Sequence, residues 1–186
     1  GLTEFSPDDE VVQNGGGTPQ TSAITNVQSS TENFTSYYSA STTNNTGNET
    51  PDKSFNGNLG DCWRANINNK NWNVNVWTRS TAFTNVTKLR MHIEWNAGAL
   101  APAGEALMRI DGVDVTRNNT PDMPGLNTKG WIDLTSKLTG NTVQSFQTRA
   151  QSNATSAPKI YAIEVNDRIL VDGDATAILT LTDDTN

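Results

Sequence analysis

Between Lys88 and Trp95 the chain alternates without a break. Leu89, Met91, Ile93 and Trp95 fall on one parity, and Lys88, Arg90, His92 and Glu94 fall on the other. Successive strand residues point to opposite faces, so this run specifies a β-strand with its apolar side in and its charged side out. Such a strand is stable only in a sheet that covers its apolar face with a second layer.

Other segments carry the same period. Trp72, Val74 and Val76 alternate with Asn71, Asn73 and Asn75, and Ala175, Ala177, Leu179 and Leu181 alternate with Thr176, Ile178, Thr180 and Thr182. Turn chemistry separates several runs. Asp111-Gly112 sits between Met108–Ile110 and Val113–Val115, and Asn166-Asp167 sits between Ile160–Val165 and Arg168–Val171. Both dipeptides favour the left-handed backbone of a two-residue hairpin loop. Only 131–138 has the makings of a helical turn. Short strands at close spacing, joined by tight turns, predict an all-β chain folded as an antiparallel two-sheet β-sandwich.

The first 50 residues differ from the rest. No Lys or Arg occurs before Lys53, and 25 of the 37 residues from Asn14 to Thr50 are Ser, Thr, Asn or Gly. A segment of that composition buries too little apolar surface for a core of its own. Residues 1–50 are therefore expected to form a polar extended arm that pairs with a neighbouring subunit, and 51–186 the sandwich domain. Within the arm, Val11-Val12, Ile24–Val27 and Phe34–Tyr38 are the islands able to pair as strands.

Composition narrows the function. The net charge of −7 disfavours nucleic-acid backbones and anionic membrane surfaces, both of which attract clustered Lys and Arg. No apolar run approaches the ~18 residues of a membrane span, and Gly1–Phe5 has neither the basic nor the apolar region of a signal peptide. The lone Cys62 forms no internal disulfide and is expected as a small buried hydrophobe. Catalysis finds little footing. His92 is the only histidine, and no nucleophile-elbow, metalloprotease or phosphate-loop motif occurs. No organic cofactor is expected. Asp111, Asp114, Asp172 and Asp174 lie in turns and are the candidate ligands of a structural calcium. Ordinary turn chemistry accounts for most such residues as well.

The aromatic residues offer a second possibility. Trp72 and Trp95 share the parity of aliphatic neighbours and are expected in the core. Trp77 has the opposite parity to Trp72, Val74 and Val76, so it is expected at the surface or against a partner. Tyr37 and Tyr38 lie in the polar arm. Trp77, Tyr37 and Tyr38 are thus the candidate contacts for a glycan or a protein partner.

Several stretches also carry a family resemblance. Pro51-Asp-Lys-Ser-Phe-Asn-Gly-Asn58 resembles the opening of discoidin-like, galactose-binding-like sandwiches. The stretches 131–138 and 141–146, and above all Ile160-Tyr-Ala-Ile-Glu-Val-Asn-Asp-Arg-Ile-Leu-Val-Asp172, resemble a β-sandwich module of marine bacteriophage virion proteins, notably those of cyanophages. The resemblance spans about 51–182. It implies a jelly-roll or galactose-binding-like sandwich in a tail fibre, spike, capsid decoration or filament, on a virion surface or outside cells. Relative to that module the two ends of the chain look circularly offset. The sugar-binding residues of discoidin-like lectins are not recognisable. The expected function is therefore structural, by self-assembly and contact with other virion proteins, without enzymatic activity. The alternative is a carbohydrate-binding module that adheres to host-surface glycans.

Overall fold

In the computed structural model, residues 27–29, 32–40, 49–64, 71–72, 75–95, 105–118, 120–150 and 157–173 are described. The alternating run forms β5 (Leu89–Glu94), with Leu89, Met91 and Ile93 buried and Arg90, His92 and Glu94 on the outer side. Trp95 follows in the core. β5 lies in the middle of one sheet, between β10 (Lys159–Val165) and β8 (Lys129–Asp133), antiparallel to both. On its other side β10 meets two strands in succession. β3 (Trp63–Arg64) pairs with its start and β11 (Arg168–Val171) with its end. A 3-10 turn at Pro51–Phe55 lies beside β10 as well, and Ser54 Oγ donates to the Ile160 carbonyl at 2.8 Å. β1 (Val27–Ser29) pairs with β11 in parallel and ends this sheet.

The second sheet has the order β2 (Tyr38–Ala40), β4 (Asn75–Phe83), β9 (Val143–Thr148), β6 (Ala106–Ile110) and β7 (Val113–Thr116), all antiparallel. The chain is thus an all-β two-sheet sandwich, and among the described residues its helical elements are short 3-10 turns. One of these, Thr135–Lys137, lies within the stretch where a helical turn was expected.

Both predicted hairpins form. Asp111 and Gly112 have φ of 46° and 82°, and Asn166 and Asp167 have 50° and 62°, so each pair takes the left-handed backbone of a two-residue turn. Ile110 then faces Val113, and Val165 faces Arg168.

The core joins the inner faces of the sheets. Trp77 stacks on Phe146 with ring centroids 4.7 Å apart, and Tyr38 lies 4.5 Å from Trp63. Phe34 and Phe55 stack beside them at 5.8 Å.

Two expectations are corrected here. The sandwich does not begin at residue 51, because segments of the expected arm belong to both sheets and to the core. β1 and β2 are strands of the two sheets, and Phe34 is 1% exposed. The segment is also tied to the far end of the chain. Thr35 donates through its amide and hydroxyl to Asp172, at 3.1 and 2.5 Å, and Arg79 makes a two-pronged ion pair with Glu32. Low apolar content prevents a segment from making a core, but one well-placed Phe lets it join one. The parity of β4 is also the reverse of that expected. Asn75 and Trp77 point inward, whereas Trp72 lies half-buried between the guanidinium groups of Arg109 and Arg149, 4.1 and 4.4 Å from its ring. The expected last strand, 175–182, lies outside the described residues, as do Val11-Val12 and Ile24.

Candidate functional site

The densest group of aromatic and titratable side chains lies on the outer face of the first sheet. Its register follows from β5. Arg90 is opposite Asp133 and Glu164, His92 is opposite Trp131 and Ala162, and Glu94 is opposite Lys129 and Lys159. A bulge in β10 adds one residue. Ile160 faces Ile93 and Ala162 faces His92, so Tyr161 between them has no partner on β5. Bulges re-aim side chains in this way. The Tyr161 ring lies 5.6 Å from His92 and its hydroxyl donates to Glu94 at 2.8 Å.

Three rings therefore stand in a row: Trp131, His92 and Tyr161, with 5.1 Å between the first two. Cations flank both ends. The Arg90 guanidinium lies 5.0 Å from the Trp131 ring, and Lys129 Nζ lies 4.2 Å from the Tyr161 ring. Arg90 also binds Glu164 through two hydrogen bonds of 2.7 Å. Glu164 is 1% exposed, so this pair neutralises a carboxylate that would otherwise be buried alone. Lys159 completes the group at 3.2 Å from Glu94.

The electrostatics follow from burial and these contacts. Burial, helped by the charge of Lys129, holds the His92 imidazole below its ordinary pKa, so the ring is neutral near pH 7. Its Nδ1 is buried without a hydrogen-bond partner. Burial works to raise Glu94, but donation from Tyr161 and Lys159 outweighs it and the carboxyl is lowered. Burial and the hydrogen bond to Glu94 push the Tyr161 phenol far up. Burial and the Glu49 carboxylate raise the Cys62 thiol, whose Sγ lies 3.9 Å from Glu49 Oε1. A protonated, buried thiol is a poor nucleophile. Tyr161 is 3% exposed, whereas His92 and Trp131 are half-buried, so of the three rings only the last two reach the surface.

The residues singled out from the sequence sit elsewhere. Trp77, Tyr37 and Tyr38 are brought together, but inward. Trp77 is 1% exposed, its Nε1 donates to the Phe34 carbonyl at 2.8 Å, and Tyr37 meets it edge-on at 5.8 Å. Tyr38 packs on Trp63, Phe55 and Phe146, with its phenolic oxygen buried. Trp77 is therefore not a surface contact: its one polar atom finds a carbonyl inside the core, so the ring is buried without penalty.

The described calcium candidates, Asp111, Asp114 and Asp172, are each engaged by protein groups. Asp111 accepts from the backbone amides of Gln144 and Ser145, the latter at 2.6 Å, and from the Ser145 hydroxyl at 3.0 Å. Asp114 pairs with Arg109 at 2.6 Å, and Asp172 binds Thr35. Asp174 lies outside the described residues. Among the described residues no group of three or more His, Cys, Asp or Glu side chains is arranged to hold a metal ion.

Sequence periodicity located Arg90, His92 and Glu94 on the outer face. It missed Tyr161, because a bulge leaves no periodic signal, and it could not show that Trp131 lies beside His92, because tertiary register sets that pairing. No helix among the described residues is long and apolar enough to cross a membrane. No protein-family model, curated protein or solved structure matches this chain.

Proposed function

We propose that this chain is a non-catalytic β-sandwich module that works by self-assembly and surface contact in a virion or other extracellular structure. The observation that carries the reading is the set of open sheet edges. Among the described residues β1, β2, β7 and β8 are each paired on one side only. Unpaired strand edges present amides and carbonyls to a neighbouring chain. At β7 the edge includes Val113, which at 36% is the one exposed large hydrophobic residue among those described. The commitment of Asp111, Asp172, Glu32 and Glu164 to internal partners also favours a scaffold over an enzyme. The virion setting rests on the resemblance of 160–172 to phage sandwich modules.

Sedimentation velocity over a wide concentration range tests this reading. Trimers or larger open-ended species are expected. Loss of those species in Val113→Lys would place the joint at β7. A monomer at every concentration would overturn self-assembly.

Glycan adhesion is the second reading, and the adjoining half-buried rings of Trp131 and His92 favour it. It requires a glycan-array signal that disappears in Trp131→Ala. A signal untouched by that change would rule out this face.

A further inference from the structure

Arg168 stands where a cation is out of place. It opens β11 directly opposite Val165, the last residue of β10. Cross-strand partners share a face of the sheet, and Val165 is buried, so the register sets Arg168 on the inner side. The strand begins there, and the side chain is exposed at the rim of the sandwich. Among the described residues Arg168 forms no ion pair. The carboxylates nearest to it in the chain are taken, Glu164 by Arg90 and Asp167 by Lys88.

A cavity of about 260 Å³ lies at this rim, lined by Phe83, Thr84, Val165, Asn166 and Arg168. Phe83 ends β4 and Val165 ends β10, so the cavity reaches from one sheet to the other. Its walls are already fixed. Asn166 Oδ1 accepts from the amides of Thr87 and Lys88, and the Asn166 amide donates to the Lys88 carbonyl at 2.9 Å. These bonds lock the loop after β4 onto the β10–β11 turn. Phe83 is held by the Phe34 ring at 6.3 Å and the Arg79 guanidinium at 4.2 Å. Walls set in advance lower the ordering cost of binding.

The lining dictates the ligand. Phe83 and Val165 offer hydrocarbon, and the Arg168 guanidinium offers a fork of donors that matches a carboxylate. No carboxylate lines the cavity, so a cationic ligand has no partner there. The volume lies below the roughly 300–1,000 Å³ of drug-sized sites, which limits the ligand to a small molecule.

We propose that this cavity binds a small organic acid, with its carboxylate on Arg168 and its apolar body against Phe83 and Val165. None of the lining residues belongs to β1, β2, β7 or β8, so the site stands or falls independently of the sheet edges.

Titration of the full chain with benzoate, followed through amide NMR shifts, gives the test. Benzamide keeps the ring and loses the charge, and acetate keeps the charge and loses the ring. Saturable benzoate binding is expected, with shifts centred on the lining residues. Each control should bind at least about tenfold more weakly, and Arg168→Gln should weaken benzoate by a similar factor, as expected for loss of a hydrogen bond between charged groups. Arg168 is exposed, so this variant should melt with the parent. Absence of saturable benzoate binding would overturn the proposal, and so would an affinity unchanged in Arg168→Gln. Benzamide binding as tightly as benzoate would show that charge plays no part, and equal binding of acetate that the cavity plays none. Either result would also overturn it.

Discussion

Asn166 shows how much one turn residue carries. Its backbone holds φ at 50°, its side-chain oxygen accepts from the amides of Thr87 and Lys88 at 2.8 and 3.2 Å, and its Nδ2 donates to the Asn85 carbonyl at 3.1 Å. Asn is among the few residues that tolerate this conformation. Asn166→Ala should cost about 2 kcal/mol, from lost bonds plus backbone strain. Urea unfolding checks this, and a change under about 0.5 kcal/mol, typical of a plain surface site, would show the network to be idle.

His92 supports a pH prediction. Its pKa in the folded chain lies below the unfolded value of about 6.5. Below that pH the unfolded chain takes up a proton that the folded chain resists. Stability present above pH 6.5 is therefore lost as pH falls toward the folded pKa. The lowered carboxyls of Glu94 and Asp133 add their losses only in the carboxylate range, below about pH 4.5. His92→Gln should flatten the first part of this curve. Parallel curves for the two proteins between pH 7.5 and about 5 would rule the imidazole out. At this scale the sequence was readable where a residue type carries its own geometry, as in Asp111-Gly112 and Asn166-Asp167. It misled at Trp77, because the alternation of Asn with apolar residues suggests that Asn is outside, and Asn75 is inside.

Among the elements, β5 was legible in full, since each of its residues obeys the two-residue period. β10 was legible as a strand but not in its details. The bulge that exposes Tyr161 to Glu94 and Lys129 depends on the neighbour strand and leaves no mark on composition. The least legible element is the segment around Phe34. Polar neighbours hide it, yet the Trp77 indole, Asp172 and Arg79 all bind there. Truncation tests this directly. Removing residues 1–26 spares every contact described, so that chain should keep the cooperative transition of the parent. Removing residues 1–50 opens the core at Phe34 and breaks the ties to Asp172 and Arg79. Loss of a large aromatic from a core costs about 3–5 kcal/mol, a large share of a domain's typical stability. Circular dichroism melting should show the longer truncation largely unfolded at room temperature. Equal melting temperatures for the two truncations would mean that Phe34 and its contacts contribute little.

For the whole molecule, the all-β sandwich could be read from alternation and turns, but the order of its strands could not. Nothing local says that β10 is shared by β3 and β11, or that β1 lies beside β11 in parallel. Such pairings depend on which faces are left uncovered once the nearer hairpins have formed. The bridge between Thr35 and Asp172 spans 137 residues. On a ribosome adding roughly 5–20 residues per second, Thr35 is made about 7–27 s before its partner. During most of that interval β5 lacks its neighbour β10, and the strands already made have exposed edges. The first sheet therefore cannot close in step with synthesis: β5 waits for β10, and Thr35 for Asp172, until the last third of the sequence has emerged.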